Sequence, residues 1–320
     1  MPIIDAHHHL WARAPLENAG AYLIPELLDD VNAGHKIVAT VYVECGSGYR
    51  EDGAVELRPV GETEFVAHAT AQPITSAPAQ GLCAAIVGFA DLRLGDAVDR
   101  VLEAHVDAGR GRFRGIRQMG ARDENAPLDA LPHRPQPGLL CDPAFRRGFS
   151  QLGRRGLCFD AFVFHPQLHE VADLARAFPD VPIVVNHVGG LIGVGKYAHQ
   201  RAAEIERWRA SLSALADLAN VYMKIGGLGM FLGGSPLLHR DPAAGADEIA
   251  HEWQPAIEFA IEKFGPSRCM FESNFPVDSA TCSYLRLWNV FKLVCRRYSA
   301  TEKQHMFHDT AARFYRLQLD

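Results

Sequence analysis

The feature that most constrains this chain is an alternation of two periodicities along its length. Short runs rich in β-branched and aromatic residues fall at 3–8, 37–45, 84–92, 113–118, 157–164, 181–188, 221–228 and 269–275. Helical periodicity fills gaps between them, at 63–71, 96–108, 143–154, 168–178, 202–218, 247–264 and 284–298. In 168–178 the residues Val171, Leu174, Ala175 and Phe178 share one face, as a helix laid on a parallel sheet requires. No Pro/Gly/Ser linker divides the 320 residues, and no G-x-G-x-x-G follows an early strand. Two doubly wound sheets are therefore disfavoured. The expected fold class is α/β, a single (β/α)8 TIM barrel occupying 1–320 as one domain.

Two stretches, 46–61 and 120–142, are too long and too punctuated by Gly and Pro for simple connections. They follow the second and fourth strands, so in a barrel they lie over the C-terminal mouth as substrate-covering loops. A formal net charge of −6 gives no general attraction to nucleic acid or anionic lipid. No window approaches the run of about 18 apolar residues that a spanning helix needs, and the N-terminus has no basic leader. The seven cysteines are odd in number, scattered and free of C-x-x-C pairs, a usage that fits reduced thiols. The expectation is a soluble, cytoplasmic protein acting on a small molecule, with no nucleic-acid or membrane partner and with assembly into a homo-oligomer left open.

The chemistry concentrates at the strand ends. Asp5, His7 and His9 alternate along the first strand, so His7 and His9 project to one side and His8 to the other. Two imidazoles on one strand face can share a metal. The fifth strand ends in His165-Pro166-Gln167, the sixth in Asn186-His187, the seventh carries Lys224, and the eighth reads from Glu272 through Asn274 to Asp278. In a barrel these ends converge on one rim. An inward Lys224 requires an anionic partner or a ligand. Blander readings stand beside these: a histidine before proline also caps loops, and Glu272 also serves as a buried ion-pair partner for Lys224 or Arg117. Arg114 and Arg117 cannot both face inward under strict alternation, and a guanidinium fork suits a carboxylate.

The ordered set IIDAHHHLW, FRGIRQ (113–118), FDAFVFHPQL (159–168), VVNHVGG (184–190), VYMKIGGLG (221–229), MFESNFPVD (270–278) and AARFYRL (311–317) resembles the amidohydrolase-related (amidohydrolase 2) TIM-barrel hydrolases. Within them it is most similar to the lactonase-like branch of sugar-acid lactonases and pyrone-dicarboxylate lactonase. The resemblance implies a (β/α)8 barrel in which a His-x-His pair, a sixth-strand His and an eighth-strand Asp surround a hydrolytic site. These map to His7, His9, His187 and position 274. Here position 274 is Asn, which cannot act as a general base near neutral pH and is a weaker metal ligand than a carboxylate. The departure bears on the metal more than on the fold, since members of this branch also work without one.

The expected reaction is hydrolysis of a ring ester by addition of water to the lactone carbonyl. His187, Glu272, Asn274, Lys224 and His165 form the candidate catalytic set, with Glu272, Asp278 or Glu44 as alternative bases. Arg117, Glu44, Gln167 and Asp278 are candidate substrate contacts, Arg117 through an anionic group, with the loop residues Arg50, Arg58, Arg122 and Arg134 in reserve. The cofactor expectation is one divalent metal, zinc or manganese, on His7, His9 and His187, with metal-free catalysis left open by Asn274. The expected substrate is a small carboxylated or polyhydroxylated lactone. Two rivals stand beside it: a metal-dependent decarboxylase of a small unsaturated or aromatic acid, and a catalytically degenerate binding protein.

Overall fold

A computed structural model of the chain describes residues 1–12, 20–71, 81–124, 135–238, 240–241 and 243–319. Eight strands, β1 (Ile3–His8), β2 (Ile37–Val43), β3 (Ala85–Gly88), β4 (Phe113–Ile116), β5 (Cys158–Ala161), β6 (Ile183–Val185), β7 (Val221–Ile225) and β8 (Cys269–Phe271), form one sheet in sequential order. Every pairing from β1–β2 to β7–β8 is parallel. Past the end of β8 the chain returns to β1: Asn274 N–H donates to His7 O and His9 N–H to Phe275 O, each at 2.8 Å, and His8 bridges Phe275 in parallel. The sheet thereby closes. A helix follows each strand in turn, at Ile24–Val31, Val60–Ala69, Asp99–Ala108, Pro143–Arg154, Leu168–Ala177, Arg201–Ala216, Ala246–Phe264 and Tyr284–Val294. The fold is the (β/α)8 TIM barrel.

Local sequence explains these elements well. The helix Pro143–Arg154 starts where Asp142 accepts hydrogen bonds from the N–H groups of Ala144 and Phe145, with proline in the first turn. Its Phe145, Phe149 and Leu152 are buried, and the two phenylalanines pack on Phe159 of β5. The apolar runs overshoot the strands at their C-terminal ends, as at 157–164 against Cys158–Ala161, because Phe162, Val163 and Phe164 stay buried after the ladder has stopped. The helix Ile24–Val31 lies outside the segments that periodicity marks. Its first turn carries a proline and Glu26, whose carboxylate accepts the Leu23 N–H at 2.8 Å, and Leu27 and Val31 are buried.

The interior holds small and β-branched side chains, among them Ile4, Ala6, Ala39, Val41, Val43, Ala85, Val87 and Val184, and the C-terminal Phe314 and Tyr315 pack into the same cluster. This segment lies at the bottom: Arg114, near the start of β4, donates to Tyr315 O at 2.7 Å, and Tyr222, near the start of β7, packs on Phe314. The larger aromatic residues fill the layer between sheet and helices. None of the seven cysteines is paired, and no helix of the described residues is long and apolar enough to cross a membrane.

Candidate active site

The histidines of β1 reach one side by a route that alternation does not predict. Asp5 pairs with Thr40 and the next partner of β2, Tyr42, faces His8, so three steps on β1 match two on β2. Such a bulge re-aims the residues around it. His7 and His9 come together, their Nε2 atoms 3.2 Å apart, whereas Asp5 is directed to the helix side and accepts from Tyr284 Oη and Ser273 N–H. His8 points away from the pair, toward Tyr42 and Cys83.

The protonation of His9 follows from its partner. A carbonyl oxygen only accepts, so the 2.8 Å contact with Val43 O places a proton on His9 Nδ1 and leaves a lone pair on Nε2. His7 is flanked by two donor-only groups, Lys224 Nζ at 3.3 Å from Nδ1 and Arg117 Nη1 at 3.3 Å from Nε2. Burial first, then the charges of Lys224, His9, His187 and Arg117, hold His7 well below the ordinary imidazole value. Burial and Arg117 do the same to His9. Both are neutral imidazoles, the form that binds a metal.

Glu272 lies just past β8, fully buried, and bonds His187 twice, accepting at Oε1 from the backbone N–H at 3.0 Å and from ring Nδ1 at 2.8 Å. Burial alone raises its carboxyl, but the charge and hydrogen bonds of His187 and the charge of Lys224 outweigh that and lower it. Its other oxygen, Oε2, sits 2.8 Å from His7 Nδ1 without a hydrogen-bond partner. His187 holds a left-handed backbone conformation, φ 56°, and its ring lies on Gly227. A Cβ at Gly227 would stand 2.4 Å from His187 Nδ1, so no other residue fits without moving the ring.

Two buried ion pairs complete the floor. Lys224 Nζ donates to Asp160 Oδ2 at 2.6 Å, and Arg117 Nε donates to Glu44 Oε1 at 2.7 Å while its Nη2 donates to the Glu44 carbonyl. Arg117 thus spends its Nε and one Nη2 hydrogen on Glu44 and sets Nη1 beside His7, and neither cation pairs with Glu272. Glu272 is left facing imidazoles, with one oxygen unpartnered. His7, His187 and Glu272 offer ligand atoms within 4.8 Å of one another. The His7–His9 Nε2 separation matches the ~3.3 Å between two nitrogens on one tetrahedral ion at ordinary zinc–nitrogen distances. The donor set fits a divalent cation.

Other sequence-named residues direct their side chains to further partners. Asn274, with φ 54°, donates from Nδ2 to Asp278 Oδ1 at 2.8 Å, and Asp278 Oδ2 accepts the Gly229 N–H at 3.1 Å. Burial, reinforced by the charge of Glu272, pushes the Asp278 carboxyl up to about 7. His165 has both ring nitrogens engaged, by Ile192 N–H and by Glu204 at 3.0 Å. Gln167 accepts from the N–H groups of Arg122 and Phe164 and donates to Gly120 O, which staples two loops. Arg50 pairs with Glu64 and Arg122 donates to Pro135 O, Arg58 Nε has no hydrogen-bond partner, and Arg134 lies outside the described residues. Asp160 and Gly227 escape the sequence reading. A lone acid inside the apolar run CFDAFVF, matched by a lone lysine in VYMKI, is the signal that points to the first.

Beside His187 and Gly227 a cavity extends toward the helix Ala246–Phe264, lined by Phe164, Arg201, Glu252 and Trp253 among others. Arg201 is exposed and its guanidinium feels the charge of Glu252, and Trp253 Nε1 is buried without a hydrogen-bond partner.

The model of the family described as amidohydrolase matches residues 4–317. A Sinorhizobium fredii protein designated y4mH is 33% identical over 334 residues, covering 98% of each chain. An L-fucono-1,5-lactonase of Burkholderia multivorans is 27% identical over 329 residues, covering 98% of this chain and 96% of its own. Among solved structures, an amidohydrolase of Burkholderia multivorans with bound HEPES superposes with a TM-score of 0.76 at 25% identity, covering 99% of this chain and all of the other.

Proposed function

The chain belongs to the amidohydrolase family, and from that premise we propose that this hydrolase opens a lactone by adding water to its carbonyl carbon. The observation that carries the reading is the His187–Glu272 pair at the edge of a cavity. With Nδ1–H donated to Glu272, His187 presents Nε2 as an acceptor, and it is the member of the histidine cluster that lines the cavity. His187 takes the proton of the attacking water as the oxygen adds to the carbonyl. Glu272, held ionised, steadies the imidazolium and keeps the ring in place. The tetrahedral oxyanion forms near Arg117 and Lys224, whose charges Glu44 and Asp160 partly offset. Its collapse breaks the ring C–O bond, and His187 returns the proton to the departing alkoxide, giving the open hydroxy acid.

His7 and His9, with Glu272 beside them, are the residues that would hold a divalent ion, which leaves His187 Nε2 for the proton transfer, and zinc and manganese both accept such donors. When bound, that ion supplies Lewis-acid polarisation of the carbonyl. The Asn274 amide nitrogen is bonded to Asp278, and we assign the residue no ligand role.

The cavity supports a polyhydroxylated over a dicarboxylated lactone. A hydroxyl both donates and accepts, and Arg201, Glu252 and Trp253 line the cavity with both kinds of partner, whereas a dicarboxylate calls for donors alone. The similarity to an L-fucono-1,5-lactonase points the same way. The test is a pH-indicator hydrolysis screen over sugar lactones, aromatic lactones and pyrone carboxylates, with and without chelator. Turnover of neutral hydroxylated lactones is expected. Turnover confined to pyrone carboxylates would overturn the substrate reading, and no acid release from any lactone would overturn the reaction.

A further inference from the structure

We propose that Asp160 and Tyr315 are positioning residues that hold Lys224 against His7 from beneath, so that the C-terminal segment closing the bottom of the barrel also acts on the site at its mouth. The chain of contacts is continuous and buried. Tyr315 Oη lies 3.0 Å from each carboxylate oxygen of Asp160, Asp160 Oδ2 accepts from Lys224 Nζ at 2.6 Å, and Lys224 Nζ stands 3.3 Å from His7 Nδ1. None of the four side chains touches solvent.

Each link restrains the next. A lysine ammonium is a point charge on a flexible stem, so its position is set by what it is tied to. Asp160 ties it, and Asp160 is in turn gripped by Tyr315 and by Asn186 Nδ2 at 3.2 Å. With its oxygens engaged by these donors, the carboxylate is not free to shift and carry Nζ off His7. The Tyr315 ring adds a second restraint, its face 5.5 Å from Nζ. Burial and the Asp160 charge push the Tyr315 hydroxyl well above its usual value, so it remains a donor. The tyrosine is itself anchored by Arg114, which donates to its carbonyl. The proposal concerns the protein's own groups and goes beyond the lactone reading, whose failure would leave it standing.

The test is Tyr315→Phe in the full chain, which removes the hydroxyl and keeps the ring and the Arg114 anchor. In metal-free protein, the His7 imidazole resonances, identified by their loss in His7→Gln, should shift in nitrogen-15 spectra while histidines outside the His7–His9–His187 cluster stay in place. On a lactone the enzyme turns over, kcat should fall ~10-fold, the scale of losses at supporting hydrogen bonds. KM should stay within ~2-fold, as expected when binding is unaffected. In a Lys224→Met background the same substitution should cost nothing further, since its effect passes through Lys224. Unchanged His7 resonances in Tyr315→Phe, or an equal loss of kcat in the Lys224→Met background, would overturn the proposal. Where Lys224→Met does not fold, or no lactone is turned over, the His7 resonances alone decide it.

Discussion

Replacing Asp278 by Asn probes a carboxyl that the fold holds against its nature. The side chain is fully buried, its Oδ1 bonded to Asn274 and its Oδ2 to Gly229, and burial lifts its carboxyl from 3.8 to about 7. The sign follows from proton binding. The folded state holds this proton more tightly than the unfolded chain, so the group's contribution to stability is greatest below pH 3.8, declines as pH rises to about 7, and is level above that. The two values correspond to ~4 kcal/mol across that window. Asparagine is close in shape and does not titrate. Its oxygen can take the Gly229 N–H, and a flip of the Asn274 amide meets its NH2. Urea unfolding of wild type and Asp278→Asn, in chelator, at steps from pH 4 to 8.5 reads the effect. The variant should gain on the wild type by several kcal/mol between acid and neutral pH, with kcat preserved within a few-fold because Asp278 touches neither His187 nor Glu272. Unfolding free energies that run parallel within ~1 kcal/mol over this range would refute the assigned titration.

Two further substitutions address the site directly. Glu272→Gln keeps the size of the side chain and removes the charge that steadies His187; kcat should drop ~100-fold or more and metal affinity should fall, with equilibrium dialysis as the second readout. Retained turnover would show that His187 works without it. Gly227→Ala puts a Cβ 2.4 Å from His187 Nδ1 at a backbone φ of 65°. The left-handed backbone and the overpacking together should cost ~2–5 kcal/mol, read as a lower melting temperature with loss of activity. An unchanged melting temperature would mean that the ring is not confined as described.

Much of the architecture was legible along the chain because it is written in local periods. Seven of the eight strand-following helices and all eight strands fall within or overlap the segments that alternation marks. The missed helix, Ile24–Val31, is only eight residues long, too short for its period to stand out. Strand ends were less legible, since buried residues beyond a ladder look like more strand. In the site, His7, His9, His187, Lys224 and Glu272 could be named from their places at strand ends, which a barrel gathers on one rim.

Their partners could not be named, and the reason is physical. Strand and helix follow from side chains a few positions apart, which the chain brings together in any conformation with the right period. The pairings of Lys224 with Asp160, Arg117 with Glu44 and His187 with Glu272 join residues 64, 73 and 85 positions apart. Which of several buried acids meets which cation depends on register, and register depends on irregularities such as the bulge in β1, which turns Asp5 to the helices while His7 and His9 meet. One inserted residue flips a strand's faces without altering its hydrophobic pattern, so charge pairing in the barrel is settled by closure of the sheet and not by any segment alone.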